Sequence, residues 1–294
     1  MSGIPGPEEI GSIRNLSLRA KLIVEGMIAG LHKSPFHGFS SEFLEYRPYL
    51  TGEPAKKIDW RKFARTEKAV VRLFEDETNL RAHILIDKSG SMGFHSSRIK
   101  KFEYAKTLAA CIAWIFIRQK DAVGIAAFDE NISTYLPPGS TNIQLKNILS
   151  NLESFNSGAT TRCGRAIDQL AVSLKKRGMC IIISDLLDDS SEIIRGLKHL
   201  RFKGQDTIVI CVTDPMEKEF KSDSVRRIKD METGREITLD PAVAARFFRQ
   251  GISSHFSQIT EAAREMRVDM EFVSTSEPFQ KALLRVMEKR RCLY

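Results

Sequence analysis

From residue 80 onward, short apolar runs alternate with stretches in which apolar residues recur at helical spacing. The runs Leu80 to Ile86, Ala122 to Phe128, Met179 to Ser184, Thr207 to Val212 and Val268 to Val273 are mostly apolar. Strands of that kind are covered on both faces, as parallel strands flanked by helices are. Between them, Phe102, Ala105, Ala109, Ile112 and Phe116 share one helical stripe, and Ile143, Leu145, Ile148, Leu149 and Leu152 another. Arg165 to Lys176, Ser191 to Leu200, Ala242 to Met266 and Phe279 to Lys289 extend the helical series. The pattern predicts an α/β fold with a doubly wound, mostly parallel sheet.

Two features depart from strict alternation. Ile132 to Leu136, closed by Pro137-Pro138, reads as an edge strand returning antiparallel. After Val212, the segments Val225 to Met231 and Arg235 to Leu239 flank Glu232-Thr233-Gly234 and predict an inserted β-hairpin. Before residue 80 the chain predicts a helix over Leu16 to Leu31, then a turn-rich, irregular stretch from Ser34 to Arg72 punctuated by Pro35, Gly38, Pro48, Gly52 and Pro54. The expected organisation is residues 1–77 as a helix plus irregular segment packed on an α/β domain at 78–294, with the insertion at about 214–240.

Composition narrows the class. A hydrophobic share of 42% and a charged share of 28% are those of a globular chain. Leu22 to Leu31 is interrupted by Glu25 and is shorter than the roughly 20 apolar residues of a spanning helix. Residues Met1 to Gly11 lack the basic start of a signal peptide. The cysteines Cys111, Cys163, Cys180, Cys211 and Cys292 form no C-x-x-C, so a reducing compartment, the cytoplasm, is expected. The net charge of +8 is distributed over Lys175-Lys176-Arg177, Arg226-Arg227 and Lys289-Arg290-Arg291, none of them interleaved with aromatics, and no specific nucleic acid is expected.

Candidate chemistry gathers at strand ends. Asp87 follows the first apolar run, Ser89 and Ser91 follow in a tight turn, Asp185 follows the run ending at Ser184, and Thr161 lies in a loop before the preceding helix. If the first and fourth strands are neighbours, these five residues meet at the topological switch point. Two carboxylates and three hydroxyls are an all-oxygen set suited to Mg²⁺ or Mn²⁺. Two carboxylates about 6 Å apart repel by about 3 kcal/mol at an effective dielectric near 20, which a divalent ion reverses. Neutral hydroxyl ligands leave the ion residual positive charge and an open position for a partner's acidic side chain.

The pattern D-x-S-x-S, then a loop threonine, then an aspartate at a strand end resembles the metal-ion-dependent adhesion site of von Willebrand factor A (vWA) domains. The resemblance implies that Ser89 and Ser91 ligate directly, Thr161 in some states, and Asp87 and Asp185 often through water. A second resemblance lies in Phe43-Leu44-Glu45-Tyr46-Arg47-Pro48-Tyr49, Gly52-Glu53, Ile58-Asp59-Trp60-Arg61, Ala64-Arg65-Thr66 and Asp214-Pro215 with Glu217. These are similar to the DUF58 family, which couples such a segment to a vWA-like domain. Its members are commonly encoded beside MoxR-type AAA+ ATPases, implying such an ATPase, or its client, as partner. For Arg47, Asp59, Trp60, Arg61 and Arg65 two roles stand: an ion-pair and aromatic clamp, or a partner surface.

The expectation is therefore a metal-dependent binding module and not an enzyme. A metal-dependent phosphohydrolase is the alternative, although an aspartyl-nucleophile phosphatase would carry a second acid where Ser89 stands. An anionic-surface or nucleic-acid binder is the third reading.

Overall fold

A computed structural model describes residues 6–31, 43–49, 58–74, 80–96, 98–158, 162–218, 227–229, 236–238 and 241–291. The first four apolar runs become β3 (Arg81–Asp87), β4 (Ala122–Phe128), β6 (Gly178–Ser184) and β7 (Gln205–Thr213), all parallel and buried over nearly their full lengths. β5 (Ile132–Gly139) pairs antiparallel with β4 at one edge, and β10 (Asp269–Ser274) pairs parallel with β7 at the other. The spatial order is β10-β7-β6-β3-β4-β5. This is the predicted doubly wound sheet, with its antiparallel edge strand where the proline pair indicated.

Helices cover the sheet: α4 (Lys101–Arg118), α5 (Asn142–Ser154), α6 (Cys163–Ser173), α7 (Ser190–Phe202), α9 (Pro241–Glu265) and α10 (Phe279–Arg291). α4 is buried along most of its length, so its periodic stripe is only part of its apolar surface. α6 and α7 approach backbone to backbone where Gly164 faces Glu192 and Gly196 faces Gly164; a Cβ at either glycine would collide with the opposing helix. The short α8 (Pro215–Lys218) leads into the insertion, where β8 (Arg227–Lys229) pairs antiparallel with β9 (Glu236–Thr238) as the predicted hairpin.

Residues 1–27 and 80–294 form one compact unit and residues 28–79 a second. In the larger unit, α1 (Pro7–Gly11) precedes α2 (Leu16–Leu31), which buries Leu16, Ala20, Ile23, Val24 and Met27. Arg19 is buried with them, donating to the Ile13 carbonyl and, at 2.8 Å, to Thr107 Oγ1 on α4.

The smaller unit is more regular than its composition predicts. β1 (Phe43–Pro48) pairs antiparallel with β2 (Val70–Phe74), Ile58 bridges to Val71, and α3 (Trp60–Thr66) lies between the strands in sequence. Pro48 closes β1 without preventing a pairing that reaches across the helix. Among the described residues no helix is long and apolar enough to cross a membrane.

Candidate functional site

The strand order settles which strand ends meet. β3 lies between β4 and β6, and the chain leaves β3 toward β4 but leaves β6 toward β7, in opposite directions along the sheet, opening a crevice at the carboxyl ends of β3 and β6. Asp87 is the last residue of β3, and Asp185 directly follows β6. Both are buried.

Each oxygen of Asp87 is engaged. Oδ1 accepts from the Ser89 N–H at 2.8 Å, which folds the loop into a tight turn, and Oδ2 accepts from Ser184 Oγ at 2.6 Å. That turn brings the Ser89 and Ser91 hydroxyls to 2.9 Å from one another. Ser91 opens a single 3₁₀ turn whose Met92 is buried and pins the loop to the core. Burial, and then the charge of Asp185, push the Asp87 carboxyl up to about 7, against the opposing hydrogen bonds from Ser184 and Ser89.

Asp185 is held differently. Its Oδ1 accepts from the Leu187 N–H at 3.2 Å, and its Oδ2 accepts from Lys101 Nζ at 2.8 Å. The same ammonium donates to Glu217 Oε1 at 2.5 Å. Glu217 Oε2 accepts from the Asp214 N–H at 2.8 Å, and Asp214 accepts from the backbone N–H of Ser96 at 2.9 Å and from its hydroxyl. A polar chain thus runs from the loop after Ser91, through α8 and Lys101, to Asp185. Burial pulls the Lys101 ammonium down, but Asp185 and Glu217 together outweigh it and hold it above the ordinary lysine range. Glu217 carries the cost, its carboxyl pushed up by burial despite the ammonium.

Thr161 lies outside the described residues, yet both flanks of its loop are anchored at this end of the sheet. Gly158 N–H donates to the Lys88 carbonyl, and Arg162 N–H donates to the Asp129 carbonyl, each at 3.2 Å. Lys88 and Asp129 are themselves ion-paired at 2.8 Å. The fold therefore brings together Asp87, Ser89, Ser91 and Asp185. The donor set fits a hard divalent cation: Ser89 and Ser91 would supply neutral oxygens, and Asp87 the charge. Among the described residues no group of three or more His, Cys, Asp or Glu forms a metal cluster; here hydroxyls take the place of further carboxylates.

The second set of predicted residues is spread over the smaller unit. Arg47 stands on β1 opposite Val71. Asp59 caps α3, accepting from the Lys62 N–H at 3.1 Å, while Trp60, Arg61 and Arg65 lie on the exposed helix that it starts.

Sequence reasoning missed Lys101, Ser96 and Ser184, and took Asp214 and Glu217 only from a resemblance. Lys101 did leave a signal. It falls three, four and seven residues before Tyr104, Ala105 and Leu108, on the buried stripe of α4, and in a first turn where the helix dipole disfavours a cation. A lysine there requires buried carboxylate partners.

The fold is that of an α/β protein with a doubly wound, mostly parallel sheet. The chain belongs to the DUF58 family, proteins of unknown function, whose family model matches residues 45–259. It is 25% identical over 293 residues to the uncharacterized protein Rv1480 of Mycobacterium tuberculosis, covering 98% of this chain and 92% of that one. Among solved structures it resembles the conserved hypothetical protein BatB from Bacteroides thetaiotaomicron, with a TM-score of 0.50, 22% identity, and coverage of 72% of this chain and 99% of that one. The SpRpn10 VWA domain matches with a TM-score of 0.44 at 14% identity, over 70% of this chain and 94% of that one.

Proposed function

We propose that this chain is a metal-dependent protein-binding module, an adaptor or cofactor for a MoxR-type AAA+ ATPase in the assembly or remodelling of protein complexes. Asp87, Ser89, Ser91, Thr161 and Asp185 hold Mg²⁺ or Mn²⁺, and an acidic side chain of the ATPase or its client completes the coordination. The observation that carries this reading is the convergence of the Ser89 and Ser91 hydroxyls, 2.9 Å apart, on the tight turn that the buried Asp87 carboxylate holds through the Ser89 N–H at 2.8 Å. Ser89 stands where a second acid would serve phosphoester chemistry, which favours binding over catalysis. The buried thiols of Cys111, Cys163, Cys180 and Cys211, none of them in a disulfide, suit a reducing compartment, and the cytoplasm is the proposed location.

The test is capture of the purified ATPase, or of its client, in Mg²⁺ and in EDTA. Capture should require the ion and weaken strongly in Ser89→Ala and in Thr161→Ala, which remove neutral ligands and leave the long-range field unchanged. Equal capture in both buffers would refute metal-mediated binding.

A further inference from the structure

The smaller unit carries an aromatic and basic surface that the metal site does not use. α3 is seven residues long, none of them buried. Trp60 is 57% exposed and Phe63 38% exposed, large fractions for side chains that ordinarily seek cover. The two rings meet edge to face, with centroids 5.8 Å apart and planes at 81°, so they make one apolar knob. Ala64 extends the same stripe at helical spacing, and Arg61 and Arg65 form a parallel stripe beside it. Both arginines are exposed and make no ion pair among the described residues. Lys68 is exposed just beyond. Within residues 58–71 one exposed acid, Glu67, stands against these cations, since Asp59 is buried as the helix cap.

We infer that α3 is a docking surface for a protein partner that offers an apolar pocket for Trp60 and Phe63, rimmed by carboxylates for Arg61 and Arg65. Exposed tryptophan beside arginine is the residue pairing that dominates interface energetics, with the aromatic desolvated at the centre and the cations at the rim. Two alternatives fit less well. A helix about 10 Å long with two aromatic side chains offers too little apolar face to hold a membrane surface. Rings set edge to face do not provide the parallel platforms on which successive bases stack. The inference rests on the proposal that the chain binds a protein, and is independent of the metal.

The experiment places a photoreactive benzoyl-phenylalanine in place of Trp60 in the full-length chain, crosslinks it in the native host, and sequences the adduct. The expected adduct is a peptide of a second protein containing carboxylates, its yield falling at least about fivefold when Arg61→Glu and Arg65→Glu are added. An adduct within residues 80–294 would show α3 to be an internal clamp, and a lipid adduct or no adduct would equally overturn the docking surface. Should the adduct be a protein that is neither an AAA+ ATPase nor its client, the adaptor reading falls while the surface stands.

Discussion

Lys101 donates to Asp185 Oδ2 at 2.8 Å with the lysine side chain wholly out of solvent and the aspartate nearly so. One of the two carboxylates of the candidate metal site thus already has a cation, supplied by the chain itself. The two acids are thereby made unequal. Asp185 is neutralised from within and has both oxygens occupied, which suits it to act through water. Asp87 instead accepts from the Ser89 N–H and the Ser184 hydroxyl, at the end of the loop that carries Ser91.

The first expectation concerns that ion. Mg²⁺ or Mn²⁺ should raise the melting temperature, because the folded site binds it and the unfolded chain does not. At about 100 times its dissociation constant the contribution is about 2.7 kcal/mol. Asp87→Ala should abolish most of the shift. A wild-type chain that shows neither a shift nor heat of binding in calorimetry does not hold the ion.

Breaking the internal ion pair should cost more than removing its weaker partner. Lys101→Met leaves Asp185 and Glu217 buried without their cation and should lower stability by about 3–5 kcal/mol in urea unfolding. Glu217→Gln keeps the shape and the Asp185 contact, and should cost about 1–2 kcal/mol. If the two variants prove equally stable, Lys101 is not principally the partner of Asp185.

A buried histidine sets a pH dependence away from the site. His83 on β3 stacks on Tyr135 with ring centroids 6.1 Å apart, and its Nδ1 has no hydrogen-bond partner among the described residues. Burial first, then the charge of Arg81, lower its value from 6.5 to about 4. The folded state therefore resists protonation, so stability is complete above 6.5 and is lost as pH falls toward about 4. The loss over that window is about 3 kcal/mol. His83→Phe should remove that part of the pH dependence, and an unchanged stability profile would place the titrating group elsewhere.

Catalysis is the remaining alternative for the same residues. The purified chain should not turn over phosphate esters or nucleotides in Mg²⁺ or Mn²⁺, since the nearest acid and base beyond the ligands, Glu217 and Lys101, are committed to one another and to Asp185. Steady turnover that disappears in Asp87→Asn would make the phosphohydrolase reading the better one.

Much of this protein was legible along the chain. Apolar runs such as Met179 to Ser184 and the stripe from Phe102 to Phe116 marked strands and helices because burial on both faces, or on one, leaves a local period. Asp87 and Asp185 declared themselves by being the first polar residues after such runs. Within the N-terminal stretch, β1 and β2 were hidden because short strands that pair across a helix leave no local period, and Pro48 read as a break. What only the tertiary structure decided is which groups meet. Strand order, set by the crossover connections and not by any run of residues, places Asp87 beside Asp185 and Ser184 beneath Asp87. Packing, not propensity, buries Lys101 between Asp185 and Glu217, and leaves Trp60 in solvent. A hydrogen bond is indifferent to sequence separation, so contacts reaching from Lys101 to Glu217 or from Ser96 to Asp214 exist only once the sheet has brought their elements together.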